Sequence, residues 1–443
     1  MQKTYETYKD SGIEWIGNVP SHWEVFPMKY KVNLYNGNSI KDDEKPLYED
    51  DSDAIPYIAT KDVNVDNHSI DYENGMYVKN LDHSFVRAPK GSSLMCIEGG
   101  SAGRKIGITN QEVAFINKLC CFTTKDISIL DNLYLYFYLQ SSTFKNKFTS
   151  HLSGLIGGVS ISEMKNFEMI CPPLFEQQAI AEYLDKNCSK IDALIAELEQ
   201  QVTDLGTMKK AEISRIVTKG LNPDAPLKDS GIEWIGEVPS HWEIVRLGQY
   251  TSKIGSGITP RGGSETYVDS GIPLLRSQNI LFEGIDISDV AYITNEVDES
   301  MRGSRVLPGD VLLNITGASI GRCYYVLESF GPANVNQHVC IIRPNGLDTR
   351  YLYYTLSSEC CQTQIKVLQT GGNREGLTGL ALKSFRIPLP DKDEQIRISD
   401  FLDTYCAKVD VTVKELQAQI ADLKLYKQSI ISEAVTGKIK VID

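Results

Sequence analysis

Apolar residues recur along this chain with two periods, and the longer one predicts its largest elements. Leu184, Cys188, Ile191, Ile195, Leu198, Val202 and Leu205 step alternately by four and three residues, the spacing of a coiled-coil seam. Leu402, Cys406, Val409, Val413, Leu416, Ile420 and Leu423 repeat those steps 218 residues further on. Neither stripe is satisfied without a partner, and each half of the chain supplies one, so two long helices paired within the chain are expected. Pro172-Pro173, Pro388 and Pro390 are placed to stop the preceding strands, and Gly220 and Gly437 to end the helices.

The shorter period lies ahead of each seam. IPYIAT, SSLMCIE and VAFINKLCCF in the first half, and IPLLRS, DVLLNIT and NVNQHVCIIRP in the second, read as short strands between turn signals. One helix is predicted after each set. It starts at Asp131 with Leu133, Phe137 and Tyr138 at helical spacing, or at Asp348 with Leu352, Leu356 and Ile365. The expected fold class is α+β (mixed α/β): two tandem domains, 1–175 and 221–390, separated by two long antiparallel coiled-coil helices, 176–220 and 391–443. Antiparallel pairing joins the halves without long linkers and predicts pseudo-two-fold symmetry.

The chain also repeats itself. KDSGIEWIGNVPSHWE, Lys9 to Glu24, returns as KDSGIEWIGEVPSHWE, Lys228 to Glu243, changed only at Asn18 and Glu237. All four tryptophans, Trp15, Trp23, Trp234 and Trp242, lie in these copies. Weaker echoes follow at nearly the same offset. Ser101-Ala102-Gly103-Arg104 matches Ser319-Ile320-Gly321-Arg322, FEQQAIAEYLD matches DEQIRISDFLD, and IVTKG matches AVTGK. A constant frame around divergent interiors suggests one scaffold carrying two specificities.

Composition narrows the classes. The chain has 443 residues, 42% of them hydrophobic, enough for two or three domains. No apolar run is long enough for a bilayer and the N-terminus lacks signal-peptide features, so a cytoplasmic location without a membrane partner is expected. Ten cysteines without a C-x-x-C or a zinc-type Cys/His cluster read as reduced, buried thiols. A net charge of −13 argues against a DNA-coating protein, so any contact with DNA must be local or shared with a more basic partner. Residues 1–175 have only Arg87 and Arg104 among many lysines, whereas arginine dominates 228–390, and guanidinium forks read base edges better than ammonium groups.

Catalytic signatures are missing. Asn222-Pro223-Asp224 lacks the second proline and the aromatic of an amino-methyltransferase motif, no phosphate loop occurs, and Ile258-Thr259-Pro260 after Gly255-Ser256-Gly257 spoils a dinucleotide fingerprint. The six histidines form no metal pair, and His22 and His241, inside the repeated SHWE, read as packing residues. The acidic stretch Asp42 to Asp53 lacks calcium-loop spacing and reads as a solvated loop. No metal is expected.

Candidate DNA contacts are cations and amides beside glycine, where the backbone can approach phosphate or a groove. Gly99 to Lys105, with Arg104 and Lys105, and Thr316 to Arg322 fit this in both halves; each also fits a plain hairpin turn. Arg276, Gln278 and Asn279 resemble an edge-reading set, with Lys61 in the corresponding place of the first half. Ser153 to Ser160 and Thr370 to Thr378, the latter with Asn373 and Arg374, are matching Gly-rich loops before the final strand. Ser256, Thr259 and Arg261 form a further loop, answered by Asn36 to Ser39. The seam from Leu184 to Leu205 rises roughly 33 Å, about one turn of B-DNA, so two reading domains at its ends would address the same side of a duplex.

These residues together resemble the specificity subunits of type I restriction-modification systems, over nearly the whole chain. The likeness rests on the IEWIG-x-VP-x-HWE openings, on Glu176-Gln177 and Glu394-Gln395 after proline-rich strands, on Leu184-Asp185 and Leu402-Asp403, and on the VTKG and VTGK endings. The resemblance implies two target-recognition domains, each reading half of an asymmetric, interrupted site in double-stranded DNA, with the helices setting the gap. It also implies two adenine-N6 methyltransferase subunits and two restriction/translocase subunits as partners. Those partners would use S-adenosylmethionine, ATP and Mg2+, while this chain binds no cofactor and catalyses nothing. Two other classes stay open on the residues: a divergent or fused DNA adenine methyltransferase acting alone, and a coiled-coil scaffold without DNA affinity.

Overall fold

Alternation along the central strands settles where the cores lie. In the computed structural model, which describes residues 4–13, 16–153, 157–368 and 376–442, Leu119 and Cys121 face one core while Cys120 and Phe122 face another. In the second half Val339 and Ile341 are divided in the same way from Cys340 and Ile342. A strand buried on both faces has no polar side, which is why these runs read as continuously apolar. All ten cysteines are buried free thiols.

The chain divides into two compact units, Met1–Glu199 with Gln417–Asp443, and Gln200–Leu416. The first holds an antiparallel sheet in the order Val32–Asn36, Leu119–Thr124, Ser93–Cys96, Ile106–Ile108. Its second sheet runs Tyr77–Lys79, Ala54–Ile58, Val113–Phe115, Arg87–Ala88, with the middle pair parallel. The other unit repeats the first sheet as Thr251–Ser256, Val339–Pro344, Val311–Asn314, Cys323–Tyr325, and the second as Ala291–Ile293, Ile272–Leu275, Asn334–Val335.

Four local expectations need correction. The runs 113–122 and 334–344 are each two strands in different sheets, because polar Asn117-Lys118 and Asn336-Gln337-His338 interrupt them and turn the chain. The single helix after the strands is two, Asn132–Gln140 with Ser142–Ser150, and Thr349–Ser357 with Glu359–Leu368. Asp131 and Asp348 do cap the first helices, but Ser141 and Ser358, with extended backbone, end them by donating to the carbonyls of Tyr138 and Thr355. Pro388 does not stop its strand; it lies within Arg386–Leu389, in a two-stranded ribbon with Glu243–Arg246 where a missing donor is tolerated. Short helices, Ile161–Met164 and Gly379–Ser384, stand between the Gly-rich loops and the final strands.

The long helices are Leu174–Lys219 and Lys392–Val435, and both cross the boundary between the units. In the first unit they run antiparallel, with Lys427 bonded to both carboxylate oxygens of Asp192 at 2.7 Å and Lys424 3.3 Å from Glu199. In the second, Lys209 meets Asp410 at 2.6 Å. Leu184, Cys188, Ile191, Ile195, Leu402, Cys406, Val409 and Ile420 are buried, and Leu198, Val202, Leu205, Val413, Leu416 and Leu423 are half-buried.

The repeated motifs meet at one junction in each unit. Glu176 is only 2% exposed and accepts from Trp23 Nε1 at 3.0 Å and Tyr5 Oη at 2.9 Å, with His22 Nε2 2.6 Å away. Glu394 accepts from Trp242 Nε1 at 2.9 Å, with His241 Nε2 at 3.0 Å. Beside each Glu, Gln177 and Gln395 accept from the backbone N–H of Asp131 and Asp348 at 2.8 Å and donate to the carbonyls of Pro172 and Pro390. Gly437 ends the second helix against Pro20 and Trp23, and Gly220 ends the first against Trp242. Both glycines have positive φ, 71° and 74°, and a side chain there would press on the indole. Burial, then the Glu176 hydrogen bond, pushes the Tyr5 phenol far up, so it stays a donor.

Glu176→Ala leaves two buried donors without an acceptor and is expected to destabilise the first unit by about 2–4 kcal/mol. Hydrogen exchange along residues 174–184 reads this, with Glu176→Gln less affected because its amide oxygen still accepts. Unchanged protection in Glu176→Ala would show that the junction does not hold the helix start.

Candidate nucleic-acid interface

The turns between strands bring separate loops together at one place in each unit. In the first, the loop after Ser93–Cys96 pairs with the Gly-rich loop through Gly99 N–H to Gly157 C=O at 2.8 Å and Val159 N–H to Ile97 C=O at 3.1 Å. Ile97 N–H also donates to Lys118 C=O, 3.1 Å, which adds the turn between the two sheets. Asn38 N–H reaches Phe115 C=O at 2.9 Å, and Lys105 Nζ reaches Thr60 C=O at 2.8 Å.

The second unit repeats two of these links and has one of its own. Leu377 N–H bonds Ile315 C=O at 2.8 Å, Ile315 N–H bonds His338 C=O at 3.0 Å, and Gly257 N–H bonds Val339 C=O at 3.0 Å. Gly37 and Gly257 lie against the carbonyls of Phe115 and Val335 so closely that a Cβ would overlap them. The loop before each arginine also folds alike: Gly103 N–H donates to Cys96 C=O at 2.8 Å, and Gly321 N–H to Asn314 C=O at 2.9 Å.

On this frame the expected residues have different freedom. Arg104 and Arg322 are exposed, and among the described residues neither guanidinium has a hydrogen-bond or ion-pair partner. Lys61, 71% exposed, lies 3.4 Å from Asp62. Ser153, Ser256, Thr259 and Arg261 are exposed. Arg276 donates to Asp289 C=O at 3.0 Å and Gln278 to Asp289 Oδ2 at 2.9 Å, so both fold onto one loop.

Two expected residues have internal duties. Asn279 is 2% exposed; it accepts from Arg276 N–H and donates to the Asp286 and Asp289 carbonyls, closing the turn as Asp62 does by accepting from Ala59 N–H. Its amide therefore faces inward. Ser160 caps Ile161–Met164 by accepting from Glu163 N–H. Asn373 and Arg374 lie outside the described residues. Sequence reasoning overlooked Gln337 and His338, whose only signal was the polar break in an apolar run.

Under Arg104 lies a cavity of about 680 Å³ in the first unit, lined by His68, Gln140 and Lys145 and by Asp192, Glu199 and Lys427 of the long helices. Burial, then Lys427 and Lys145, pushes the His68 imidazole down to about 4. Burial, then Lys427, also lowers Lys145. Among the described residues no group of three or more His, Cys, Asp or Glu is placed to hold a metal ion, and no helix is long and apolar enough to cross a membrane.

Residues 20–204 and 239–421 both match the family model of the type I restriction modification DNA specificity domain. The chain belongs to this family. It is a specificity subunit, the recognising and not the catalytic part of a type I restriction-modification system. Among its relatives, the type I restriction enzyme MjaVIII specificity subunit of Methanocaldococcus jannaschii is 24% identical over 96% of this chain and 94% of its own length. The EcoBI specificity subunit of Escherichia coli is also 24% identical, over 97% and 89%. Two solved structures share the fold. One, from a structure describing complex assembly and conformational transition of the type I system, has a TM-score of 0.71 at 16% identity and covers 95% of this chain and 99% of its own. The HsdS subunit of Thermoanaerobacter tengcongensis has a TM-score of 0.50 at 18% identity, covering 95% and 98%. The α+β expectation, with tandem recognition domains and long helices, therefore holds.

His68 gives this specificity subunit an acid-sensitive point. Its folded value lies below the ordinary 6.5, so acidification through 6.5 protonates the unfolded chain first, and stability drains until about 4, where the folded form takes up the proton too. Between those limits the loss should reach about 3 kcal/mol. His68→Asn, which tolerates the positive φ of 60° there, should flatten this limb in denaturant titrations of the first unit. An identical pH slope in the variant would contradict the assignment.

Proposed function

We propose that this specificity subunit reads two different half-sites of an interrupted site in double-stranded DNA, one with residues 1–175 and the other with 221–390. The long helices set the interval and dock two methyltransferase subunits. Two restriction/translocase subunits complete the cleaving complex. S-adenosylmethionine, ATP and Mg2+ act in those partners. The setting is the cytoplasm, where these partners and DNA meet.

One observation carries this reading: the same loop frame occurs twice, with matching backbone bonds at Ile97 and Ile315, under different side chains. Lys118 stands in the inter-sheet turn of the first unit and His338 in that of the second, each accepting at its carbonyl from the N–H of the same neighbour, Ile97 or Ile315. A scaffold without DNA affinity needs no such change of chemistry on a constant frame.

Methylome sequencing of a host carrying this chain with its methyltransferase partner should display a bipartite adenine-methylated motif. The purified chain alone, given labelled methyl donor and DNA, should incorporate nothing; incorporation would favour a self-sufficient methyltransferase. Arg104→Ala and Arg322→Ala should each cost about 1–3 kcal/mol of binding, acting through one half-site apiece. Competition binding with each half-site scrambled in turn checks this, and unchanged affinity in both variants would remove these arginines from the interface.

A further inference from the structure

The inter-sheet turn of the second unit carries a fixed amide that neither the frame nor the core requires. Asn334, Val335, Asn336 and Val339 around it are buried, whereas Gln337 is exposed. Its side chain is nevertheless held at both ends. Gln337 Nε2 lies 2.9 Å from His338 Nε2, and Gln337 Oε1 accepts from the Thr259 hydroxyl. His338 Nδ1 lies 2.6 Å from Thr316 Oγ1.

An amide nitrogen has only hydrogens to offer, so His338 Nε2 accepts and its Nδ1 carries the proton to Thr316. The chain runs from Thr259 through Gln337 and His338 to Thr316, joining three of the loops described above. It uses one hydrogen of the Gln337 amide nitrogen and one lone pair of its oxygen. One of each remains, on an exposed group whose rotamer is already set. A donor beside an acceptor on a planar amide complements the N6 and N7 edge of adenine in the major groove. Pre-ordering matters here, because a free glutamine loses side-chain entropy on binding and a held one has already lost it.

We propose that Gln337 reads an adenine in the half-site of the second recognition domain, an assignment that rests on the two-half-site reading above. Thr259, His338 and Thr316 are its positioning residues. In the first unit Asn117 and Lys118 occupy this turn: Asn117 stands where Gln337 does, and Lys118, where His338 does, has no lone pair to accept from it. The two halves therefore differ at this turn in what holds the amide, not in having one.

The test is methylome sequencing of hosts that carry the methyltransferase partner with the wild-type chain, Gln337→Ala, Gln337→Glu, Thr259→Val or Thr259→Ser. Both Gln337 variants should lose roughly tenfold or more of the discrimination at one A·T position of one half-site, leaving the gap and the other half-site intact. Gln337→Glu keeps the shape but has no hydrogen to give, so it separates reading from folding. Thr259→Val should relax the same position, and Thr259→Ser should restore it. An unchanged motif in the Gln337 variants, relaxation at another position, or loss of all methylation with Gln337→Glu overturns the assignment. A wild-type chain that gives no bipartite motif overturns the parent reading instead.

Discussion

A carboxylate at the start of each long helix, buried at Glu176 and half-buried at Glu394, holds the rest of the structure in place. Glu176 is removed from water and Glu394 largely so, without a lysine or arginine partner, and indole, imidazole and, in the first unit, phenol hydrogens satisfy them. That demand ties the SHW opening of a domain to the helix that follows it. The neighbouring Gln177 and Gln395 tie the same helix to the capping Asp131 and Asp348. The glycine end of the other long helix then closes over the tryptophan. The repeated SHW, Glu-Gln and helix-ending glycine motifs belong to this junction, whereas the repeated Ser-x-Gly-Arg lies in the loops.

Because the junction fixes the frame, the loops are free to differ. Each loop cluster hangs from the two central strands, through backbone bonds that do not depend on side-chain identity. Glycines at 37 and 257 are required where the loop crosses a carbonyl, and buried Asp62 and Asn279 are required to close the next turn. Between those fixed points stand Lys61, Lys118, Gln278, Gln337 and His338. A change there alters the chemistry offered to a ligand at little cost to the core, since none of these side chains fills it.

The sequence by itself determined the elements whose physics is periodic or local: the long helices from their apolar stripes, the domain pair from its repeat, the capping aspartates, and the helix-ending glycines. It also carried the family, since the motifs are specific in combination. Tertiary structure alone decided what those motifs do together. Glu176 and Trp23 are far apart in the chain, and no spacing rule connects a helix-start glutamate to an indole. Continuous apolar runs hid a change of sheet, because a strand buried on both faces looks the same before and after the break. Asn279 looked like a base reader by composition, and burial turned it inward. Gln337 looked like an interruption, and hydrogen bonds that reach two other loops gave it a fixed orientation. Local propensity writes the elements, whereas desolvation and hydrogen-bond satisfaction, which act only between segments brought together, choose which polar residues are left to face a ligand.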